Sequence, residues 1–180
     1  LTDHIPVNEI SKSLSEKLLM KKVGTIIKTL EQDFGVVKPK VALLGLNPHS
    51  GYNGVMGDEE EKIIKPAVKK MFDSGMMVFG PYSSDSFFGS SQFEKYDAIL
   101  AMYHDQGLIP FKTLSFGKGV NYTAGLERVR TSPDHGTGYE IAGKGLANFE
   151  SFKEAVYVAI DIYKKRNEYL ELTKKPLKVK

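Results

Sequence analysis

The sequence contains no cysteine. That excludes disulfide bridges, cysteine-ligated zinc and thiol nucleophiles, and it fits a reducing compartment such as the cytoplasm. No apolar run approaches the ~20 residues that a membrane-spanning helix needs, and no signal-peptide pattern opens the chain. Repeats, low-complexity stretches and clear linkers are missing as well. Charge of one sign is scarce: the net charge is +3, and the terminal run Lys174-Lys175-Pro176-Leu177-Lys178-Val179-Lys180 holds four of the lysines. The body is therefore close to neutral, which gives no support to a broad nucleic-acid footprint. What is present is an ordinary globular composition of 180 residues, 41% hydrophobic and 26% charged. This is enough for one moderate domain or two small lobes. The first residue is Leu1, inside what reads as a strand end, so a piece of a longer protein is expected.

Apolar runs of strand length alternate with amphipathic stretches. Val41-Ala42-Leu43-Leu44-Gly45-Leu46 reads as a buried strand that breaks into Asn47-Pro48-His49-Ser50-Gly51. Ala98-Ile99-Leu100-Ala101-Met102 reads as another, ending abruptly in Tyr103-His104-Asp105-Gln106-Gly107. Met76 to Phe79 is a third, with further short strands expected over Thr113 to Phe116 and Val120 to Thr123. Helices are expected from Asn8 through Leu19, from Val23 to Phe34 with a stop at Gly35, over Asp58 to Phe72, over Ser86 to Phe93, and from Phe149 to Tyr169. In the last helix Phe152, Ala155, Val156, Ala159, Ile160 and Tyr163 share a face. Alternating strands and helices predict an α/β fold with helices on both faces of the sheet, and ligands then bind at the carboxyl edge of the strands.

His4, His49 and His104 each follow an apolar, strand-like run, so one sheet edge can gather all three. Neutral imidazoles suit a divalent ion with open coordination positions, although spacing alone makes this a weak signal. Downstream lies a glycine-rich stretch with Lys112, Lys118, Arg128 and Arg130. Arginine grips carboxylate or phosphate oxygens with a bidentate fork, and lysine supplies a point charge. Lys118 and Arg128 read as solvated surface. Asn121 can orient an amide or hydroxyl. His135-Gly136-Thr137-Gly138 opens onto a short helical piece, and its free backbone N–H groups can hold a phosphate or ribose oxygen.

Four blocks then resemble one family: Leu46-Asn47-Pro48-His49-Ser50-Gly51, Gly80-Pro81 through Asp85, Met102-Tyr103-His104-Asp105-Gln106-Gly107, and Arg130-Thr131-Ser132-Pro133-Asp134-His135-Gly136-Thr137. In this order they resemble the signature blocks of the 4-hydroxythreonine-4-phosphate dehydrogenases of pyridoxal phosphate (vitamin B6) biosynthesis. Thr2-Asp3-His4-Ile5-Pro6-Val7 is similar to that family's Thr-Thr-His-x-Pro-Leu segment, which falls near the middle of a complete member. The resemblance therefore makes residues 1–180 the C-terminal half, holding metal-binding, dimerisation and NAD-binding regions, with the N-terminal half absent.

The resemblance implies a three-layer isocitrate/isopropylmalate-dehydrogenase-like α/β fold, NAD, and a homodimer that shares a divalent metal (Zn, Mg or Co) between subunits. It places the metal on His4, His49 and His104, and the phosphorylated substrate on Lys112, Asn121 and Arg130. Asp85, Asp105 and Lys112 are its catalytic groups. The nucleotide falls to His135, Gly136, Thr137, Gly138 and Asn148 by wider analogy with isopropylmalate and isocitrate dehydrogenases. The implied reaction is NAD-dependent oxidation and decarboxylation of 4-phosphooxy-L-threonine to 3-amino-2-oxopropyl phosphate. A sibling enzyme acting on threonate or erythronate 4-phosphate, or an inactive folded fragment, is the alternative. Tyr52, Ser83, Ser84, Ser86 and Gly138 depart from the family pattern, while Asp85 is kept.

Overall fold

A computed structural model gives the structure and describes residues 1–175. Of the C-terminal lysine run, the part from Pro176 onward lies outside the described residues. The chain forms two compact units: Leu1–Glu31 with Val36–Pro110, and Gln32–Gly35 with the residues from Phe111 onward.

The first unit is built on β1 (Val41–Leu44), whose four residues are all buried. A strand covered on both faces is a continuous apolar run, and that places it centrally in a parallel sheet. Strands β2 (Val78–Tyr82) and β3 (Ala98–Leu100) flank it, both parallel to it. Val41 lies opposite Val78 and Ala98, and a register shift beyond Ala42 brings Leu44 opposite Tyr82. The shift sits next to Gly80, where φ is +127° and a Cβ would come 2.4 Å from the Leu43 carbonyl oxygen. Only glycine lets the two backbones approach so closely there.

Alternate side chains of β1 enter different cores, as a pleated strand requires. Val41 and Leu43 pack with Leu19 and Val23 of α2 (Glu16–Phe34) and with Val68 and Met71 of α3 (Lys65–Asp73). Ala42 and Leu44 pack with Phe87 of α4 (Ser84–Gly89). Helices therefore cover both faces, as the alternating pattern predicts.

Three local expectations are corrected. The chain after Asn8 does not form one helix to Leu19: α1 covers only Ile10–Ser13, because Leu14 is extended (φ −74°, ψ 133°). The Ser15 hydroxyl then accepts the Leu18 N–H at 3.3 Å, and α2 runs unbroken to Phe34. The polar cluster after β3 starts α5 (His104–Ser115), with Asp105 in its first turn, where a carboxylate suits the helix dipole. Thr113 to Ser115 consequently end α5 and are not strand. Finally, the second strand runs later than expected, to Tyr82.

In the second unit β4 (Val120–Tyr122) and β5 (Thr131–Pro133) form an antiparallel hairpin. It packs on α6 (Glu150–Thr173). The inward residues of α6 are Ser151, Ala155, Ile162 and Arg166, while Phe152 and Tyr163 of the expected apolar stripe are 61% and 63% exposed. No described helix is long and apolar enough to cross a membrane.

Candidate functional site

The carboxyl ends of the parallel strands are tied together by polar side chains. Gln106, in the first turn of α5, accepts the Met102 N–H at 2.6 Å and donates to the Gly45 carbonyl at 2.6 Å and to Ser84 Oγ at 2.8 Å. One amide thus joins the end of β3, the end of β1 and the start of α4. Thr2 lies against the same place, its N–H and its hydroxyl both donating to the Met102 carbonyl, at 3.1 and 2.7 Å. This pairing sets His4 beside His104, with ring centroids 5.3 Å apart. Donor atoms of Asp3, His4 and His104 all lie within 4.8 Å of one another. Among the described residues this is the cluster suited to a metal ion, and His49 does not belong to it.

His49 instead opens a left-handed turn. From His49 to Asn53 five successive residues have positive φ, four of them not glycine. Each such residue costs roughly 1–2 kcal/mol, so the surroundings must compensate. The compensation centres on Glu60, a fully buried carboxylate. Its Oε1 accepts the N–H groups of Leu46 and Asn47 at 2.7 and 2.8 Å, and its Oε2 accepts Asn47 Nδ2 at 2.9 Å. At Gly51, where φ is +80°, a Cβ would come 2.6 Å from the same Oε2, so the turn closes over the carboxylate only with glycine there. Ser50 Oγ adds a bond to the Pro81 carbonyl at 3.1 Å. Asp85 in the first turn of α4 is held below the usual carboxylate range, chiefly by the Ser83 hydroxyl donating at 2.6 Å, then by the Ser86 backbone and by nearby His49. Sequence reasoning singled out His49 and Asp85 but gave Glu60 and Gln106 no role. One was hidden in an acidic run and the other inside a quoted block.

In the second unit, Asn121 on β4 and Arg130 just before β5 sit on one hairpin, both exposed. Arg130 donates to Thr123 Oγ1 at 2.7 Å. Lys112 is exposed on α5. The hairpin is anchored by Arg166, whose Nε and Nη2 bind the two oxygens of buried Asp33 at 2.7 and 2.8 Å. Nη1 of Arg166 donates to the carbonyls of Leu126 and Glu127 at 3.1 and 2.9 Å. Tyr122 donates to Asp33 as well, and burial first, then this carboxylate, push its hydroxyl up to about 12. His135, Gly136, Thr137, Gly138 and Asn148 line one cleft of about 1000 Å³. Asn148 accepts the Glu150 N–H at 2.9 Å at the start of α6.

Two imidazoles with a carboxylate are the donor chemistry of a divalent transition-metal site, so the cluster at His4 and His104 fits such an ion. The cleft offers glycine backbone to a ligand, since Gly136, Gly138, Gly143 and Gly145 all line it. Close backbone approach is what pyrophosphate recognition requires.

These features define an α/β protein with a candidate cation centre at the carboxyl edge of a parallel sheet and a glycine-lined cleft in a second unit. A family model described as "Pyridoxal phosphate biosynthetic protein PdxA" matches residues 1–159, and the chain belongs to that family. It is 51% identical over 178 residues to the 4-hydroxythreonine-4-phosphate dehydrogenase of Bacteroides thetaiotaomicron, covering 99% of this chain and 49% of that one. A relative of the same name from Sulfurihydrogenibium is 48% identical over 160 residues, covering 89% and 49%. The crystal structure of the Klebsiella pneumoniae 4-hydroxythreonine-4-phosphate dehydrogenase superposes with a TM-score of 0.74 at 39% identity, over 91% of this chain and 49% of that chain. The chain spans about half the length of the curated relatives it matches.

Proposed function

We propose that the chain supplies the metal-binding and nucleotide-binding part of an NAD-dependent 4-hydroxythreonine-4-phosphate dehydrogenase of vitamin B6 biosynthesis. The reaction is oxidation and decarboxylation of 4-phosphooxy-L-threonine to 3-amino-2-oxopropyl phosphate. The observation that carries this reading is the meeting of His4 and His104, with Asp3, at the carboxyl edge of the sheet in a chain of this family. His49, the third imidazole that the resemblance gives to the site, lies outside that group, and we propose that it joins the site across a homodimer that shares the cation between subunits.

When bound, the nicotinamide takes the hydride and a divalent ion (Zn, Mg or Co) polarises the reacting oxygen. The chain's own residues bind, orient and move the proton. Asp85 accepts the proton of the alcohol, while Asp105 faces Nδ1 of His104 at 2.7 Å. Lys112 and Arg130 grip the phosphate and carboxylate, and Asn121 orients the remaining polar groups. Loss of CO₂ from the resulting β-keto acid then needs charge stabilisation at the enolate oxygen and a proton returned to the carbon that carried the carboxylate. The backbone of His135, Gly136, Thr137 and Gly138 cradles the dinucleotide, with Asn148 at the adenine end.

The test is NADH formation by the whole protein from 4-phosphooxy-L-threonine with added divalent metal, run beside threonate and erythronate 4-phosphates. His104→Ala should abolish turnover and metal binding while the fold is kept. Full activity of that variant after chelation overturns the reading, and faster turnover of a threonate 4-phosphate redirects it to the sibling activity.

A further inference from the structure

We propose that Asp3 and Asp105 are positioning carboxylates. They hold His4 and His104 in the form protonated at Nδ1, so that both Nε2 atoms face the divalent cation. This inference rests on the cation reading above and adds which nitrogen of each ring binds and what fixes it.

An Asp3 oxygen stands 3.2 Å from Nδ1 of His4, and Asp105 Oδ1 stands 2.7 Å from Nδ1 of His104. A neutral imidazole has one N–H and one lone pair, and an ionised carboxylate only accepts hydrogen bonds. The ring nitrogen facing a carboxylate therefore carries the proton, and the lone pair is left on Nε2. Carboxylate, imidazole and metal in a row is a recurrent arrangement that orients the ring as well as choosing the nitrogen. Here its carboxylate–imidazole part occurs twice, on unrelated backbones. Asp3 precedes its histidine in the segment that pairs with Met102, whereas Asp105 follows its histidine in the first turn of α5.

Both pairs hang from one strand end, through the Thr2 bonds to the Met102 carbonyl and the Gln106 bond to the Met102 N–H. That shared anchor fixes the two rings relative to each other, tilted by 52° at 5.3 Å. The side chains themselves are open to solvent, His4 at 83% exposure, so packing does not select the tautomer and the carboxylates must. Asp3 stands where the resembling Thr-Thr-His segment has a threonine. A hydroxyl both donates and accepts, so it forces no tautomer. Two carboxylates also balance the charge of a dication, which an all-imidazole set leaves uncompensated.

The experiment uses the chain with ¹⁵N-labelled histidine, Zn(II) as probe, and the variants Asp3→Asn, Asp105→Asn and His104→Ala. In the metal-free chain, long-range ¹H–¹⁵N correlations should show His4 and His104 protonated at Nδ1, and each aspartate variant should release its own ring to a tautomer mixture. On Zn(II) addition both Nε2 resonances should shift, and each Asp→Asn change should weaken Zn(II) binding about 10–100-fold with an unchanged circular dichroism spectrum. Protonation at Nε2, metal shifts at Nδ1, or Zn(II) affinity unchanged in both aspartate variants overturns the positioning role, even if His104→Ala abolishes binding. Failure of the unaltered chain and of the whole protein to bind Zn(II) removes the cation reading and this inference together.

Discussion

Glu60 offers the sharpest test of how the His49 turn is held. Replacing it with alanine removes all three accepted hydrogen bonds. The N–H groups of Leu46 and Asn47 are left without their partner, at about 1–3 kcal/mol each. Two such groups cost about 2–6 kcal/mol, comparable with the roughly 4–8 kcal/mol of strain in four non-glycine residues of left-handed backbone. The turn should therefore open locally before the sheet does. Glu60→Gln is the control. Its Oε1 still accepts both N–H groups, but its –NH₂ meets Asn47 Nδ2, and the remaining bonds drop to neutral strength, about half. Relief from burying a carboxylate offsets part of that, leaving about 1–2 kcal/mol. Because the chain folds as two units, a single unfolding midpoint is a poor measure, and amide hydrogen exchange reads the site directly. At 1.4 kcal/mol per tenfold, Glu60→Ala should speed exchange at Leu46 and Asn47 about 30-fold or more, and Glu60→Gln about tenfold. The amides of β3 should be unaffected. Unchanged protection in Glu60→Ala would refute the clip, and equal loss throughout the first unit would show Glu60 to be general core.

Arg166→Met should take the guanidinium away from the buried Asp33 carboxylate and cost the second unit about 3–5 kcal/mol, read as faster exchange of the Thr123 amide that bonds the Arg130 carbonyl. A second change, Asp33→Asn, should recover part of it, and no recovery would show that the Leu126 and Glu127 carbonyls, not the ion pair, carry the anchor. Tyr82 and Tyr122 are pushed up to about 12 from an ordinary 10, in both cases first by burial and then by their hydroxyl partners, Tyr96 and Asp33. The folded state then holds these protons longer than the unfolded one. Their contribution is intact below pH 10 and declines as pH rises through about 12. Phenolate absorbance should show two late-titrating tyrosines, and Tyr122→Phe should remove one of them.

The sheet was legible because it obeys one rule. Val41-Ala42-Leu43-Leu44 is apolar without alternation, and only a strand buried on both faces tolerates that, so its central place followed directly. The break between α1 and α2 was not legible, because Leu14 reads as one more residue of an apolar stripe. What decides is the Ser15 cap, and serine is equally common in turns and helices. Thr113 to Phe116 has strand-like composition, yet a helix nucleated at His104 runs on as far as Ser115, since propagation adds a hydrogen bond per residue fixed. In α6, periodicity found the apolar stripe but did not tell which side faces inward. The buried side carries Arg166, paired with Asp33, together with Ser151, Ala155 and Ile162.

The candidate site divides along the same line. Residue types that carry chemistry stand out in a sequence, so His4, His104 and the loop at His135 were singled out by type. Their placement depends on amides and buried acids that look ordinary: Gln106 joins three chain segments, and Glu60 closes a turn that its own sequence disfavours. A left-handed run from His49 to Asn53 is unfavourable in isolation, and the chain keeps it beside Asp85 by burying a carboxylate beneath it. A structural turn would be released by any mutation that lets the backbone relax. The turn persists with an exposed imidazole at its entrance, and no packing role for that ring accounts for the strain. Strain kept at such cost around a solvent-facing ligand type points to a function for the ring itself, in keeping with the shared cation site proposed above.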